Sequence, residues 1–290
     1  MGAPGEPALS RHQQALACRA QRDRSGRQQV RVCAQKALIV NTKGGGHAFI
    51  GLHLAQKLLK DGHSVTIYND GDQGKLSGKA PYSQYQALEK DGAKIIFGDV
   101  SDASQAPVDE ADVVYDNNAK ALDVNKSLID AVKASGGHFV FVGSAGAYNA
   151  NSIEPMHVEG DARKSSAGHV AVENYLAESG VPFTVFQPQY IYGPHTAKDC
   201  EQWFIDRIIR DRPVPIPGDG LQLVNLSHVE DLANMMASVI GNDAAKGQHY
   251  NLVSDRYITF DGIVRIVAKA LGKEPKIVHY DPAKRRETQH

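Results

Sequence analysis

Residues 41–51 read NTKGGGHAFIG, a glycine-rich turn between an apolar run and a helical pattern. The apolar run is Ala37–Val40 and the helical pattern covers Ile50–Lys60. Glycines at this place permit a tight turn and let a pyrophosphate approach the backbone N–H groups of a helix N-terminus. The stretch is therefore typical of the first βαβ unit of a dinucleotide-binding fold, and it predicts an α/β protein.

Short apolar runs rich in β-branched residues alternate with helical periods over the following residues. Strands are predicted at Ala37–Val40, Ser64–Tyr68, Lys94–Phe97, Val113–Tyr115, His138–Val142 and Phe183–Phe186. Helices are predicted at Ile50–Lys60, Tyr82–Asp91, Leu122–Ser135 and Gly168–Ser179. Because right-handed crossovers place such helices on both faces of a parallel sheet, we predict a Rossmann-like, doubly wound fold over residues 36–186.

The sequence changes character after residue 186. Prolines become frequent, and further helices are predicted near Glu201–Arg210, Val229–Ile240 and Phe260–Leu271. Residues 187–290 are therefore predicted to form a smaller C-terminal lobe that contacts a substrate or partner.

Residues 1–35 carry six arginines against two acidic residues. An arginine-rich, acid-poor leader without a continuous apolar segment is typical of an organelle transit peptide, and a disordered tail is the alternative. The remaining residues comprise 26 basic and 31 acidic side chains, a net charge of −5. Cys200 is the one cysteine beyond the leader, so an internal disulfide there is excluded. No apolar run approaches the roughly 20 residues that cross a bilayer, which predicts no membrane span.

The glycine turn departs from the usual dinucleotide pattern. Counting back from Gly51 places Ala48 and Gly45 at the other two turn positions, so a methyl group replaces the second glycine. The second strand leads to Asn69, where an acid usually bonds the adenosine ribose, and Asp70 follows. The candidate contacts for NAD(P) are Gly45, Gly46, Ala48, Gly51 and Asn69. Weakened nucleotide binding and simple strand-to-helix packing both remain open.

Several segments resemble the extended short-chain dehydrogenase/reductase family. They are Phe49–Gly51, Gly98-Asp99, Ser144, Gln187–Pro194, Pro215–Gly220 and His228–Leu232. The Tyr-x-x-x-Lys pair with which that family transfers protons falls on Ser165 and His169, so ordinary hydride chemistry is not expected. A hydrolase dyad of these two residues is an alternative, although no third orienting group or GxSxG elbow accompanies it.

A narrower set of segments resembles the chloroplast stem-loop-binding proteins, in their a-type branch. They include residues 41–48, Asp116–Asn118, Ser144–Tyr148, Met156–Asp161, Lys198–Phe204 and Val253–Arg256. This resemblance implies a protein of the chloroplast stroma that binds stem-loop RNA, cleaves it with a divalent metal, and associates with plastid ribosomes or transcription complexes. Members of that family continue past Asp281-Pro282, so we expect the C-terminal lobe to be truncated.

The resemblance also implies site residues. It points to Asp99, Asp116 and Asp130 as nuclease acids, although the first position is usually Asn in relatives. Of these, Asp99 and Asp116 are the expected ligands of Mg²⁺, which stabilises the extra charge of phosphodiester cleavage. The alternatives are a cap on a turn for Asp99 and a solvated helix face for Asp130.

One helix combines aromatic and basic side chains suited to single-stranded RNA. The predicted RNA contacts are Trp203, Phe204, Arg207, Arg210 and Arg212. An amphipathic core helix with an arginine-bearing outer face is the alternative.

Three hypotheses follow. The preferred one is a plastid RNA-binding protein with endoribonuclease activity, acting in plastid RNA processing and stability, rRNA included. The second is a nucleotide-sugar epimerase or reductase relative that binds NAD(P). The third is a noncatalytic scaffold, and self-association is open in each case.

Overall fold

The computed structural model describes residues 34–44, 47–118, 121–149 and 157–286, together with the two-residue strands Gln21–Arg22 and Gln28–Gln29. Most of the predicted transit peptide lies outside the described residues. The first six strands of the main sheet are β1 (Lys36–Asn41), β2 (Ser64–Asp70), β3 (Lys94–Gly98), β4 (Val113–Asn117), β5 (His138–Val142) and β6 (Phe183–Pro188). The helices between them are α1 (Ala48–Lys60), α2 (Tyr85–Lys90), α3 (Leu122–Ser135) and α4 (Gly168–Ser179).

The later elements are shorter. The strands are β7 (Ile191–Tyr192), β8 (Val214–Pro217), β9 (Leu223–Asn225), β10 (Ser227–His228), β11 (Gln248–Leu252), β12 (Tyr257–Thr259) and β13 (Ile277–Tyr280). The helices are α5 (Glu201–Ile209), α6 (Val229–Ala237) and α7 (Phe260–Leu271), with short helical segments at Gln73–Leu76 and Pro282–Arg286.

Seven parallel strands form the main sheet in the order β11-β6-β5-β4-β1-β2-β3. The predicted Rossmann-like fold and its six strands are confirmed. Alternate residues of β1 point to opposite faces, so Ile39 packs beneath α1 and α6 whereas Leu38 and Val40 pack beneath α3 and α4. Each such fully buried side chain stabilises the fold by about 1.5–3 kcal/mol, which is why the pattern of residues 36–41 dominates the architecture.

The seventh strand comes from the segment predicted to belong to the C-terminal lobe. β11 pairs with β6, placing Asn251 beside Gln187, and α6 packs on α1. Its sequence, QHYNL, is polar because it forms a half-exposed sheet edge, so it carries no apolar signal. The division at residue 187 stays a prediction, but the chain returns to the main sheet beyond it.

A smaller core lies in the rest of this segment. β8 pairs with β13 in parallel, β9 pairs with β12 in antiparallel, and α5 and α7 pack on them. Buried Ile208, Val214 and Val264 lie at its centre. Within the described part of the chain, no helix has both the length and the apolar composition needed to cross a membrane.

Candidate functional site

A buried polar network closes the carboxyl end of the central strands. Asn41 Nδ2 donates to Asn69 Oδ1 at 3.2 Å and to the Tyr85 hydroxyl at 2.8 Å. The same hydroxyl donates to Asn69 Oδ1 at 2.7 Å, and Asn117 Nδ2 donates to Asn41 Oδ1 at 2.7 Å. Burial raises the pKa of Tyr85, so its hydroxyl keeps its proton. Asn69, a predicted ribose contact, is therefore fully enclosed and bonded within the protein.

The glycine turn packs tightly against this network. Gly45 and Gly46 lie outside the described residues, while Ala48 begins α1 and is completely buried. A Cβ atom on Gly51 would lie 2.5 Å from Asn41 Oδ1, which is too close for any side chain. Gly51 thus serves the close approach of α1 to Asn41, as the packing alternative expects.

The acid beyond Asn69 is already paired. Lys43 Nζ lies 2.9 Å from Asp70 Oδ2, and the Asp70 side chain is only 13% exposed. The carboxylate that would bond the ribose of a dinucleotide is therefore engaged by a lysine of the turn itself. Binding of an adenosine ribose at Asp70 would therefore compete with this ion pair.

The first predicted nuclease acid caps a turn. Asp99 follows β3 on the surface and accepts hydrogen bonds from Ser101 Oγ at 2.6 Å and Ser101 N at 3.0 Å. These donors, the hydroxyl above all, hold the Asp99 pKa below its usual range. The carboxylate is ionised and its contacts are local.

The other two acids differ in environment. Asp116, at the end of β4, is 1% exposed and accepts from Asn118 N at 2.9 Å and Asn125 Nδ2 at 3.0 Å. Asp130 lies on α3 with its side chain 45% exposed, paired with Lys126 at 2.7 Å and hydrogen-bonded by the Tyr175 hydroxyl. The Lys126 ammonium lowers the pKa of Asp130 most, followed by the Tyr175 hydroxyl.

The strand order keeps the predicted metal ligands apart. Asp99 follows β3, and β2 and β1 lie between β3 and the strand of Asp116. Three strand spacings place the two acids about 14 Å apart, whereas the ligands of one Mg²⁺ lie about 2 Å from the ion. No group of three or more His, Cys, Asp or Glu residues in the described ranges has the arrangement of a metal site. This geometry gives no support to one Mg²⁺ shared by Asp99 and Asp116.

Ser165 and His169 do not form a helical pair. Ser165 is exposed and precedes α4, whose first turn contains His169. His169 Nε2 is buried and has no hydrogen-bond partner among the described residues, so it is not bonded to the Ser165 hydroxyl. Burial lowers the pKa of His169.

The predicted RNA contacts lie on and after α5. Trp203 and Phe204 are partly buried against the small core, with their rings 5.0 Å apart edge to face. Arg207 lies over the Trp203 ring at 4.8 Å, and Arg210 pairs with Asp206 at 3.2 Å. The exposed Arg212 follows the helix. The basic groups remain at the surface while the aromatic rings are largely used in packing, which agrees with the core-helix alternative.

Clefts that are lined by residues other than the predicted site residues also lie in the described part of the chain. The first, about 430 Å³, lies between the loop after β7, the start of α5 and the start of α6; its lining includes Tyr192, His195, Lys198, Glu201 and His228. The second, about 350 Å³, includes Tyr148, Arg163, Gln187 and His249 in its lining. Segments that carry the family resemblance line the first cleft, but the sequence did not predict the cleft, because these segments come together only in the folded protein.

Comparison with known proteins identifies the family. The family model for the NAD dependent epimerase/dehydratase family matches residues 44–252. The chain belongs to this family. A relative from Arabidopsis thaliana, the "Chloroplast stem-loop binding protein of 41 kDa b, chloroplastic", is 36% identical over 82% of this chain. The chain spans 65% of that relative's length. The predicted resemblance to chloroplast stem-loop-binding proteins is thereby confirmed, while the a-type assignment stays a prediction.

Solved structures of the family share the fold. UDP-glucuronic acid 4-epimerase from Bacillus cereus, in complex with NAD, matches with a TM-score of 0.66 and 20% identity, covering 85% of this chain and 87% of its own. dTDP-glucose 4,6-dehydratase from Bacillus anthracis, also with NAD, matches with a TM-score of 0.68 and 18% identity, covering 86% and 85%. These identities establish the fold alone.

Proposed function

We propose that the chain is a plastid RNA-binding protein, located in the stroma, that uses an epimerase-family scaffold without epimerase chemistry. The observation that carries this proposal is the 36% identity with a chloroplast stem-loop-binding protein over 248 residues. Ser165 and His169 at the places of the tyrosine and lysine support the loss of proton-transfer chemistry, because a serine hydroxyl is a poor acid or base near neutral pH.

The proposal includes divalent-metal-dependent endoribonuclease activity, in plastid RNA processing around ribosomes or transcription complexes. Asp116 is the strongest of the three acids for this role, since it lies at the carboxyl end of the sheet, where ligands of such sheets bind, and its enclosed carboxylate would have to be exposed to reach metal or RNA. Asp99 and Asp130 contribute less, because Asp99 lies three strands from Asp116 and Asp130 lies on a helix and is paired with Lys126.

The second candidate is a nucleotide-binding member of the family. The family model and the NAD-containing neighbours favour it. The enclosed Asn69 and the paired Asp70 oppose it, because both side chains are already bonded within the protein.

One titration separates these candidates. The full 290-residue chain is titrated with a plastid 3′ stem-loop RNA in Mg²⁺ or EDTA, with and without NADP(H). We expect binding in both buffers and cleavage only in Mg²⁺. Binding without cleavage would remove the nuclease and leave an RNA-binding scaffold. Nucleotide binding without RNA binding would favour the second candidate.

A further inference from the structure

The first cleft is formed by the loop after β7, which hydrogen bonds from α1 and α5 hold in place. His53 Nε2, on α1, donates to the Pro194 carbonyl at 3.1 Å, and Glu201 Oε1, on α5, accepts from Gly193 N at 3.0 Å. The loop also turns through positive φ at Gly193 (137°) and His195 (66°). A side chain on Gly193 would collide with Val229, so the close approach of loop and α6 requires glycine there. The loop is thus held in one shape, which lowers the cost of ordering it around a ligand.

Glu201 presents an acceptor that nothing in the described chain uses. Its second carboxylate oxygen, Oε2, is buried without a hydrogen-bond partner among the described residues. A carboxylate oxygen withdrawn from water and left unbonded is costly, and a ligand hydroxyl would remove that cost. Oε2 is enclosed, so a ligand in the cleft that Glu201 lines meets it only after the carboxylate turns about its broad terminal torsion, which also moves Oε1 at Gly193 N.

Two hydrogen-bond donors that suit an anion also line this cleft. Lys198 is exposed and lines the cleft. His228 caps α6 by accepting from Glu230 N at its Nδ1 atom, so the neutral ring carries its hydrogen on Nε2. Nε2 of His228 faces the loop, because it lies 3.2 Å from the position that a Cβ atom on Gly193 would occupy. The cleft therefore combines these two donors with two carboxylates, those of Glu201 and of the exposed Asp199.

We propose that this cleft holds one ribose-phosphate unit of an RNA strand, with Glu201 accepting a hydrogen bond from the 2′-hydroxyl and with Lys198 and His228 donating to the neighbouring phosphate. The proposal rests on the proposed RNA-binding function and adds the discrimination of RNA from DNA. A 2′-hydroxyl is the group that distinguishes the two nucleic acids. The cleft volume, 430 Å³, lies in the range of small-ligand sites, about 300–1,000 Å³.

The test compares three forms of one short single-stranded oligonucleotide, carrying 2′-hydroxyl, 2′-fluoro or 2′-deoxy sugars. The 2′-fluoro form keeps the sugar shape but lacks the donor. Binding to the full chain is measured in EDTA, which suppresses metal-dependent cleavage. We expect the hydroxyl form to bind about 10- to 100-fold more tightly than the fluoro form, the effect of a hydrogen bond to a charged group.

Variants of Glu201 and Lys198 test whether the difference in affinity between the hydroxyl and fluoro forms arises at the cleft. Glu201→Ala should bring the ratio of hydroxyl to fluoro affinity close to one. Glu201→Gln keeps an acceptor for Gly193 N and is therefore the control for the shape of the loop.

Lys198→Ala should weaken the binding of all three forms equally and reduce the slope of log affinity against log salt by about one. Lys90→Ala removes a remote exposed charge and is the control for the loss of a charge as such. Circular dichroism checks that each variant is folded.

Equal affinity of wild type for the hydroxyl and fluoro forms would overturn this inference and leave the proposed function standing. If the ratio of hydroxyl to fluoro affinity is unchanged in Glu201→Ala, another part of the protein distinguishes the two sugars, and the inference is overturned. Failure to bind any oligonucleotide or the stem-loop RNA would reject both proposals. Glu201-dependent binding of UDP-glucose with no RNA binding would assign the cleft to sugar nucleotides instead.

Discussion

Lys43 Nζ lies 2.9 Å from Asp70 Oδ2, so an ion pair ties the glycine turn to the carboxyl end of β2. Lys43 is 63% exposed, and such surface pairs are worth about 0–1 kcal/mol. We therefore expect Lys43→Ala to leave stability nearly unchanged while freeing Asp70.

The freed carboxylate should favour NAD over NADP, because it accepts from a ribose diol and repels a 2′-phosphate. We predict that Lys43→Ala raises the ratio of NAD affinity to NADP affinity by up to about fivefold. Calorimetry on wild type and variant measures both constants, and Asp70→Asn should lower the ratio. A constant ratio in all three proteins would show that this pair does not govern nucleotide choice.

Gly51→Ala should destabilise the protein by about 1–3 kcal/mol, because the added methyl would overlap Asn41. Urea unfolding measures the loss. Gly78→Ala is the matched control, since nothing lies within 4 Å of a Cβ there. In an Asn41→Ala background the Gly51→Ala penalty should shrink; an unchanged penalty would mean that Asn41 is not the obstacle.

Asp116 can be tested while the hydrogen-bonding places of Asn118 N and Asn125 are kept. Asp116→Asn keeps an acceptor for Asn118 N, and Asn125 can flip so that its unpartnered Oδ1 meets the new amide. We expect at least a 100-fold loss of Mg²⁺-dependent cleavage with RNA binding retained. Asp116→Ala should in addition cost about 1–3 kcal/mol of stability. Full cleavage by a folded Asp116→Asn protein would exclude this acid from the chemistry.

The basic face of α5 is tested by salt dependence. Arg207→Ala combined with Arg210→Ala should lower the slope of log affinity against log salt by about one to two, since each phosphate contact releases a counterion. Lys90→Ala with Lys94→Ala removes the same charge from another exposed surface. If both double variants change the slope equally, the arginines form no specific RNA contact.

His138 makes stability depend on pH. Burial lowers the pKa of His138 to about 4, with help from Lys246, while its Nε2 is bonded to Thr184 Oγ1 at 2.9 Å. The unfolded state binds a proton near pH 6.5 and the folded state only near pH 4, so stability falls as pH drops through this window, by about 3 kcal/mol in total. His138→Gln should flatten the pH dependence of unfolding between pH 6.5 and 4; an identical dependence would contradict the assignment.

The strands of the main sheet could largely be predicted from the sequence. Apolar runs such as Ala37–Val40 are buried on both faces of a parallel sheet, so burial leaves a continuous local signal. The half-exposed strand Gln248–Leu252 leaves no such signal and was missed. The glycine turn was recognised and Asn69 was predicted as a nucleotide contact, but the buried network that joins Asn69 to Asn41 and Tyr85 was not predicted, because these residues are far apart in the chain.

The sequence by itself determined the doubly wound fold, the replacement of the proton-transfer pair at Ser165 and His169, and the resemblance to stem-loop-binding proteins, all of which depend on residue identity and order. Only the tertiary structure decided which polar groups are available. Strand order separates Asp99 from Asp116, an ion pair engages Asp70, and a folded loop brings Glu201 together with His228. Availability depends on distance and burial in three dimensions, which local sequence does not encode.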